Sequence, residues 1–521
     1  MKKALPVLCL LACGAFAQPR PAAAPKTPAR PKLVLGIVVD QFRLDYFYRF
    51  RDKYNGGLAK LYTQGAFFTN AHYEHFPTVT AIGHSTFLTG ATPSISGIVG
   101  NEWYDREKKR QVTSVWDGSV KMLGGTADGA SPRNLLVSGI ADELKMSGRT
   151  SKAVGISMKD RSAILPVGRM GDAAYWFDND SGNMVSSTYY FQEMPGWAKA
   201  FNDSRLVDKY CGQEWKSIED PAAKPLYAVP AGAGKKCYAS IERSPYGNDL
   251  LVEFAERAIV GEKLGQGSGV DVLTVSFSAN DRVGHDVGPD DPRVRDISIR
   301  TDRQLARLFQ FIDQKIGMQN VVVAFTADHG VAPLPELMQD RKMPGGRLPE
   351  SAILKRVEDH LSGLYGQGKW IVGKSGPAPY LNYELIANKK LDPAEVREQA
   401  AHIVRETAHI YRVYTRDQLA SGQTPDDLID RRVRNGYHAQ RAADLFIVIE
   451  PYWLFERSGT SHGTPYNYDT HVPVILMGPG IKAGKYHQRA AVNDIAPTLA
   501  TLLEVEVPSG ATGRVLDEAL R

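Results

Sequence analysis

The sequence predicts an α/β protein, an α/β/α sandwich with a mostly parallel central sheet. Short apolar runs rich in β-branched residues recur along the chain, and segments of helical periodicity lie between them. The chain has 521 residues, of which 43% are hydrophobic and 23% charged. This composition is typical of a globular protein and excludes a collagen-like repeat, a coiled coil and a largely disordered chain.

Four apolar runs are predicted to be strands buried on both faces, because a parallel sheet covered by helices leaves no polar face. These runs are residues 33–39, 272–277, 321–325 and 472–477. Three segments between or after them are predicted to be helical: 131–146, 293–316 and 493–503. The first of these begins with a Ser-Pro pair and stops before Gly148, which are the start and stop signals expected of a helix.

The N-terminus predicts a cleavable secretory signal over residues 1–17. Lys2 and Lys3 precede an apolar run that ends in Ala15-Phe16-Ala17, and a Pro/Ala-rich linker follows over 18–31. Export to the periplasm is therefore expected. A lipid anchor at Cys13 is the less favoured alternative, because Leu11 fits a lipoprotein cleavage box poorly. The apolar run is too short to span a bilayer, so no transmembrane segment is expected.

Two stretches interrupt the alternation of strand and helix. Residues 173–245 are rich in Tyr, Trp, Asn, Gly and Ser, and are interpreted either as a cap that shapes substrate access or as an irregular surface excursion. They contain Cys211 and Cys237, the two cysteines that remain after the signal. In an oxidising compartment such a pair favours one disulfide over two free buried thiols. A second excursion covers about 344–440.

Acidic residues follow three of the predicted strands. Asp40 comes directly after the first, and Asp281 and Asp328 come shortly after the second and third. Because ligands of open α/β sheets bind beyond the carboxyl ends of the strands, we expect these three acids to converge on one rim. Each acid taken alone would more often be a helix cap or a turn former.

Histidines accompany two of these acids. His285 lies four residues after Asp281, so both can face the same way on one helical turn, and His329 directly follows Asp328. A further imidazole, His462, is flanked by a glycine that permits close approach of the backbone. Mixed carboxylate and imidazole ligands favour zinc and, less well, manganese.

Together these motifs resemble the alkaline phosphatase superfamily, and most closely its phosphate-irrepressible, single-domain bacterial alkaline phosphatases, which are related to nucleotide pyrophosphatase/phosphodiesterases. The segments that carry the resemblance are residues 38–41 (VVDQ), 77–84 (PTVTAIGH), 100–104 (GNEWY), 157–161 (SMKDR), 280–289 (NDRVGHDVGP), 326–330 (TADHG), 461–463 (SHG) and 493–498 (NDIAPT). The resemblance runs from about residue 32 to the C-terminus and is weakest in the two excursions. It implies one catalytic domain over 32–521.

The resemblance implies two zinc ions per chain and a threonine nucleophile. One ion would be held by Asp281, His285 and His462, and the other by Asp40, Asp328, His329 and Thr80. We prefer Thr80 as nucleophile over Thr78 because its spacing to His84 matches the family pattern. A bound dication lowers the pKa of a hydroxyl, so a phosphothreonine on Thr80 is the expected intermediate.

The substrate class follows from the same resemblance. Asn101, Lys159 and Arg161 would bind the non-bridging oxygens of a phosphate monoester by charge-assisted hydrogen bonds. The related phosphodiesterases lack this Lys-Asp-Arg triplet; on sequence alone a solvated charge run after a strand is the favoured interpretation, and the resemblance reverses that preference. A sulfatase is not expected, because Thr80-Ala-Ile-Gly-His84 contains no Cys/Ser-x-Pro-x-Arg motif.

The predicted function is therefore an exported two-zinc phosphomonoesterase that releases phosphate from small-molecule phosphate esters. Two alternatives remain: a phosphodiesterase or nucleotide pyrophosphatase of the same superfamily, and an inactive phosphate-binding protein. The formal charge of +5 gives no electrostatic reason to expect nucleic acid as a stable partner. A monomer is favoured.

Overall fold

The structure is a computed structural model that describes residue 1 and residues 30–521. The predicted signal and most of the Pro/Ala-rich linker therefore lie outside the described residues, except for Met1, Arg30 and Pro31.

An eleven-stranded sheet forms the centre of the molecule. Its strands in chain order are β1 (Leu33–Val39), β2 (Ala66–Phe68), β3 (Trp116–Leu123), β4 (Asp128–Ala130), β5 (Ala153–Ser157), β6 (Ala173–Asp178), β7 (Asn183–Ser187), β8 (Asp271–Phe277), β9 (Val321–Thr326), β10 (Val474–Met477) and β11 (Gly484–Tyr486). Their spatial order is β11-β2-β10-β9-β1-β8-β5-β6-β7-β3-β4.

The middle of this sheet is parallel. β9, β1, β8, β5 and β6 are adjacent and run in the same direction, whereas β10 on one side and β7 on the other are antiparallel to their neighbours. β1, β8 and β9 are buried along their whole length, as their near-continuous apolar sequences predict. Because these three strands are neighbours, the residues that follow them reach the same edge of the sheet.

Helices cover the sheet, and others lie within residues 344–440. Those of eight or more residues are Gly57–Gln64, Thr80–Thr89, Gly196–Asp203, Pro245–Gly261, Ala279–Val287, Pro292–Lys315, Glu350–Tyr365, Pro393–Arg405, Leu428–Gly436 and Ile495–Leu503. The α/β fold class is thus confirmed, and the helices predicted at 293–316 and 493–503 are present with shifts of one or two residues.

The continuous helix predicted over 131–146 is wrong. The Ser131 hydroxyl accepts a hydrogen bond from the Arg133 amide, but this caps only a short 3₁₀ turn over Pro132–Asn134. The chain is then extended at Leu135, and a separate α-helix, Ile140–Met146, begins later. A local capping signal is compatible with one turn as well as with a long helix, and tertiary contacts decide its length.

The two excursions have different structures. β6 and β7 belong to the central sheet, so the part of 173–245 that departs from the sheet begins after Ser187. We name residues 188–245 the first inserted segment. It contains the expected disulfide between Cys211 and Cys237.

Residues 344–440, the second inserted segment, contribute most of a second, smaller hydrophobic core, which Leu445 and Ile447 complete from outside the segment. Buried apolar residues of the helices Glu350–Tyr365 and Pro393–Arg405 pack together there with Trp370. The segment also carries a hairpin formed by Ile371–Ser375 and Ala378–Leu381. Over the described residues, no helix combines the length and the apolarity needed to cross a bilayer.

Candidate metal centre and active site

Two groups of acidic and imidazole side chains lie at the carboxyl edge of the parallel strands. The ligand atoms within each group are no more than 4.8 Å apart. The buried group consists of Asp40, Asp328 and His329, and the cavity-side group consists of Asp281, His285 and His462. The convergence expected from the strand ends is therefore present in the structure.

The buried group is fully enclosed, since all three of its side chains have no exposed surface. Oδ1 of Asp40 and Oδ2 of Asp328 are buried without a hydrogen-bond partner in the described chain. An unsatisfied buried carboxylate oxygen is costly unless a cation or a donor meets it. These two oxygens are thus suited to a metal ion.

The histidines of both groups are oriented for metal binding. Nδ1 of His329 donates to the Gly330 carbonyl at 2.9 Å, and Nδ1 of His285 donates to the Thr460 carbonyl at 2.7 Å. In His462, Nδ1 donates to the Thr78 carbonyl at 2.8 Å. With Nδ1 donating to a carbonyl, Nε2 is the nitrogen that each neutral ring can offer to a metal, which is the usual arrangement of a ligating histidine.

The electrostatic environments of these rings differ. Burial lowers the pKa of His329 to about 3, and burial together with the neighbouring His329 lowers the pKa of His462 well below its usual range. Burial acts in the same direction on His285, but Asp281 outweighs it and raises the pKa of His285 to about 9. Two of the three imidazoles are therefore neutral at pH 7, which is the form that binds metals.

The donor set suits two divalent cations of the zinc type. Each group offers carboxylate and imidazole donors, which are ligands that zinc accepts in enzymes. The unpartnered carboxylate oxygens and the hydrogen bonds that orient the histidine rings are structural observations, and they are independent of the sequence motif. Manganese or iron would also accept these donors.

Lys159 lies between the two groups. Its Nζ donates to Oδ2 of Asp40 at 2.5 Å and to Oδ2 of Asp281 at 2.6 Å, so it joins one carboxylate of each group. Burial alone would lower the pKa of Lys159, but Asp281 and Asp40 outweigh burial and raise it. The sequence predicted a phosphate-binding lysine and did not predict this bridge.

Thr80 begins the helix Thr80–Thr89 and is 2% exposed. Its hydroxyl oxygen lies 3.5 Å from Nε2 of His329 in the buried group. The hydroxyl of Thr78, the alternative nucleophile, donates to the Thr464 carbonyl at 2.9 Å. The Thr78 carbonyl accepts the hydrogen bond from Nδ1 of His462. The geometry thus gives Thr78 a structural role and leaves the Thr80 hydroxyl beside a candidate metal ligand.

The other predicted substrate-binding residues lie around the same helix start. Oδ1 of Asn101 accepts from the Ala81 amide at 2.8 Å, so its NH₂ group is the part that can reach a substrate oxygen. Arg161 is half-buried, with one guanidinium nitrogen 3.5 Å from Asp160 and with Nε buried and unpartnered in the described chain. The roles of both residues in substrate binding stay predictions.

Gln41 is a residue of the site whose role the sequence did not suggest. It has a left-handed backbone, with φ of 64°. Its amide donates to Oδ1 of Asp328 at 3.1 Å, and its side-chain NH₂ donates to Oδ1 of Asp281 at 2.7 Å. A side chain on Gly284 would collide with Gln41. Gln41 therefore connects the two groups, and the only signal in the sequence was its position directly after Asp40.

Close packing also fixes the helix that begins with Thr80. A side chain on Gly83 would collide with the main-chain carbonyl of Asp328. His84, one residue later, bonds to the Thr80 carbonyl at 2.8 Å and to the Ser276 hydroxyl at 2.7 Å. The helix is thus held directly against the buried group.

A cavity of about 490 Å³ opens beside the cavity-side group. His285 and His462 line it together with Asn101, and most of its remaining wall is apolar. The second inserted segment contributes Ser375–Ala378 and Tyr380 to this wall, whereas no residue of 188–245 is among the described residues that line it. The interpretation of 173–245 as a cap over the substrate therefore gains no support from this cavity.

Comparison with known proteins places the chain among phosphate-ester hydrolases. The family model for type I phosphodiesterase/nucleotide pyrophosphatase matches residues 34–472. The alkaline phosphatase PhoV of Synechococcus elongatus is 36% identical over 97% of this chain and 96% of its own length. The alkaline phosphatase PafA of Elizabethkingia meningoseptica is also 36% identical, over 94% of this chain and 95% of its own.

A solved structure agrees with these matches. The crystal structure of wild-type alkaline phosphatase PafA superimposes with a TM-score of 0.88 at 34% identity, and the alignment covers 96% of this chain and all of that one. The resemblance to the alkaline phosphatase superfamily is thereby confirmed, and the chain belongs to the type I phosphodiesterase/nucleotide pyrophosphatase family.

Proposed function

We propose that this chain is an exported, monomeric two-zinc phosphomonoesterase that hydrolyses organic phosphate monoesters and releases inorganic phosphate. The observation that carries this proposal is the presence of two adjacent metal-ligand groups with a threonine hydroxyl 3.5 Å from one of them. The full-length similarity to PhoV and PafA, both named alkaline phosphatases, supports the monoester class.

The two groups would each hold one zinc ion. Bound zinc supplies positive charge that lowers the pKa of a hydroxyl and stabilises the attacking and leaving oxygens of a displacement at phosphorus. The ligands proposed are Asp40, Asp328, His329 and Thr80 for one ion, and Asp281, His285 and His462 for the other. Gln41 would keep the carboxylates of the two sets in fixed relation.

Thr80 is the proposed nucleophile. Its oxygen forms a bond to phosphorus while the bond between phosphorus and the ester oxygen breaks, and the departing alcohol takes up a proton. Water then attacks the phosphothreonine, which releases phosphate and restores the hydroxyl. The helix packs closely against Asp328, and this contact would hold the Thr80 oxygen in place for both steps. Such positioning lowers the entropic part of the barrier.

Lys159, Arg161 and Asn101 are proposed to bind the phosphoryl oxygens. A monoester dianion carries more charge on its non-bridging oxygens than a diester, so cationic side chains near the site favour it. Lys159 is already placed between Asp40 and Asp281, and this location also keeps it close to both sets of ligands.

A second candidate function is that of a phosphodiesterase, since the family to which the chain belongs is that of the type I phosphodiesterases and nucleotide pyrophosphatases. The apolar cavity beside His462 favours this alternative, because it could receive the second ester group of a diester. Measuring kcat/KM for an aryl phosphate monoester and the matching diester separates the two candidates.

The purified, zinc-loaded protein should prefer the monoester, and chelation should abolish turnover of it. A preference for the diester would assign the protein to the phosphodiesterases. Phosphate binding without turnover of either ester, despite bound metal, would favour the inactive binding protein and contradict both enzymatic proposals.

A further inference from the structure

We propose that the cavity beside the cavity-side group binds the alcohol part of the ester and selects apolar, aryl-sized alcohols. This inference rests on the proposed phosphomonoesterase function and goes beyond it by naming the part of the substrate that the cavity recognises. The cavity has a volume of about 490 Å³, which is within the range of small-molecule sites.

The inner end of the cavity is polar and belongs to the site. His285, His462 and Asn101 all line it, so a phosphoryl group held by the metal ligands has its ester oxygen at this end or next to it. The alcohol attached to that oxygen must extend either into the cavity or into solvent. Burial of an apolar alcohol in the cavity is favourable because it removes apolar surface from water.

The walls of the cavity are apolar and aromatic. The side chains concerned are Phe76, Val79, Val99, Pro377, Phe446 and Phe455. Phe446 is 7% exposed and packs near Phe76 with the two rings tilted by 54° and their centroids 6.5 Å apart, so this part of the wall is formed by side chains that are packed against each other. A preformed apolar wall of this kind suits a flat apolar group.

The outer rim carries carboxylates. Glu102 and Glu456 line the cavity on its exposed side, and Glu350, the third acid, is paired with Lys374. Two acids without a salt bridge in the described chain make the rim unfavourable for anionic alcohols, such as those that carry further phosphates. Neutral apolar alcohols avoid this repulsion.

Two contacts tie the outer wall to the rest of the site. The Ser375 hydroxyl donates to the Glu102 carbonyl at 3.0 Å, and the Gln111 side chain donates to the Lys374 carbonyl at 2.7 Å. The hairpin of the second inserted segment is thereby fixed against the two paired strands that follow Asn101, Glu102–Asp105 and Arg110–Thr113. The wall is therefore part of a defined pocket instead of a free loop.

The test uses Phe455→Ala with a matched control, Phe201→Ala. Both phenylalanines are half-buried, but Phe201 lines a separate groove in the first inserted segment. The quantity measured is kcat/KM for phenyl phosphate divided by kcat/KM for methyl phosphate. Comparing this ratio between variant and wild type cancels the different reactivity of the two leaving groups.

We expect Phe455→Ala to lower this ratio by about tenfold. The phenyl ring of the substrate would then be less completely buried in the cavity and would lose part of the free energy gained by leaving water. The ratio should be unchanged in Phe201→Ala, and inhibition by inorganic phosphate should be unchanged in both variants. Phe446→Leu, which keeps an apolar side chain in the wall, gives a second measurement should Phe455→Ala fold poorly, and a smaller fall in the ratio is expected.

Equal losses for both esters, or an unchanged ratio in folded Phe455→Ala and Phe446→Leu, would overturn this inference while leaving the phosphomonoesterase function intact. If the wild-type protein hydrolyses neither ester, the proposed function fails and the inference fails with it.

Discussion

The buried group and the cavity-side group contain the same kinds of donor but occupy different environments. All three side chains of the buried group are enclosed, whereas the His285 side chain is 30% exposed and lines a cavity. Burial and Asp40 raise the pKa of Asp328 well above its usual range. In Asp281 the effect of burial is outweighed by His285 and Lys159, which hold its pKa well below the usual range.

In the proposed mechanism, this difference would give the two groups different tasks in the reaction. The enclosed group lies against the threonine hydroxyl, where low polarity strengthens the effect of a bound cation on a nucleophile. The more open group adjoins the cavity, where a leaving alcohol has room to depart. In this proposed mechanism, two metal sites built from similar residues would therefore serve opposite ends of one displacement.

The largest expected effect is a difference in activity between variants of the two threonines. Thr80 lies beside the buried group, and Thr78 contacts the cavity-side group. Thr80→Ala should retain both proposed zinc ions but lower kcat by about a thousandfold or more, because the proposed nucleophile is gone. Thr78→Ala should have a much smaller effect, since the main-chain carbonyl that holds His462 remains. Steady-state kinetics and zinc content per chain test both variants, and the reverse order of effects would identify Thr78 as the nucleophile.

A smaller effect is expected from removing the link between the groups. Gln41→Ala deletes the side-chain hydrogen bond to Asp281, and loss of such an outer contact typically weakens metal binding by about 10- to 100-fold. Competition with a chromophoric chelator measures this change in zinc affinity. The control is Gln304→Ala, a buried glutamine that bonds to Pro245 and Asp249 away from the site. Unchanged zinc affinity in Gln41→Ala would contradict a role for this residue in coupling the groups.

The smallest expected effect concerns the rates at which the two metals leave. During slow chelation of the wild-type protein, one equivalent of zinc should be lost before the other, because a chelator reaches the cavity-side ligands first. Zinc release followed over time should show two phases. A single phase that removes both equivalents together would show that the two sites do not differ in accessibility.

The parts of the molecule that could be predicted from sequence are those specified locally. The strand over Leu33–Val39 is a continuous apolar run, and strand ends in a parallel sheet share one edge, so the convergence of Asp40, Asp281 and Asp328 followed from topology. The spacing of His285 from Asp281 anticipated the helix Ala279–Val287, which presents both to the same group.

The unpredicted parts depend on contacts between residues distant in the chain. The bridge from Lys159 to Asp40 and Asp281 spans more than a hundred residues, and no local pattern encodes it. Gln41 acquires its role from a left-handed backbone and from the space beside Gly284. The cavity wall combines the second inserted segment with residues such as Phe76, so its composition emerges only when these segments pack together.

The origin of that wall has a practical consequence for protein engineering. None of the proposed metal ligands lies within residues 344–440, whereas part of the cavity wall does. The segment also supplies most of a second hydrophobic core, separate from the one around the central sheet. Libraries of variants confined to the tip of its hairpin would change which alcohol is accepted and leave the residues proposed for the reaction unchanged. Selectivity could then be evolved separately from rate.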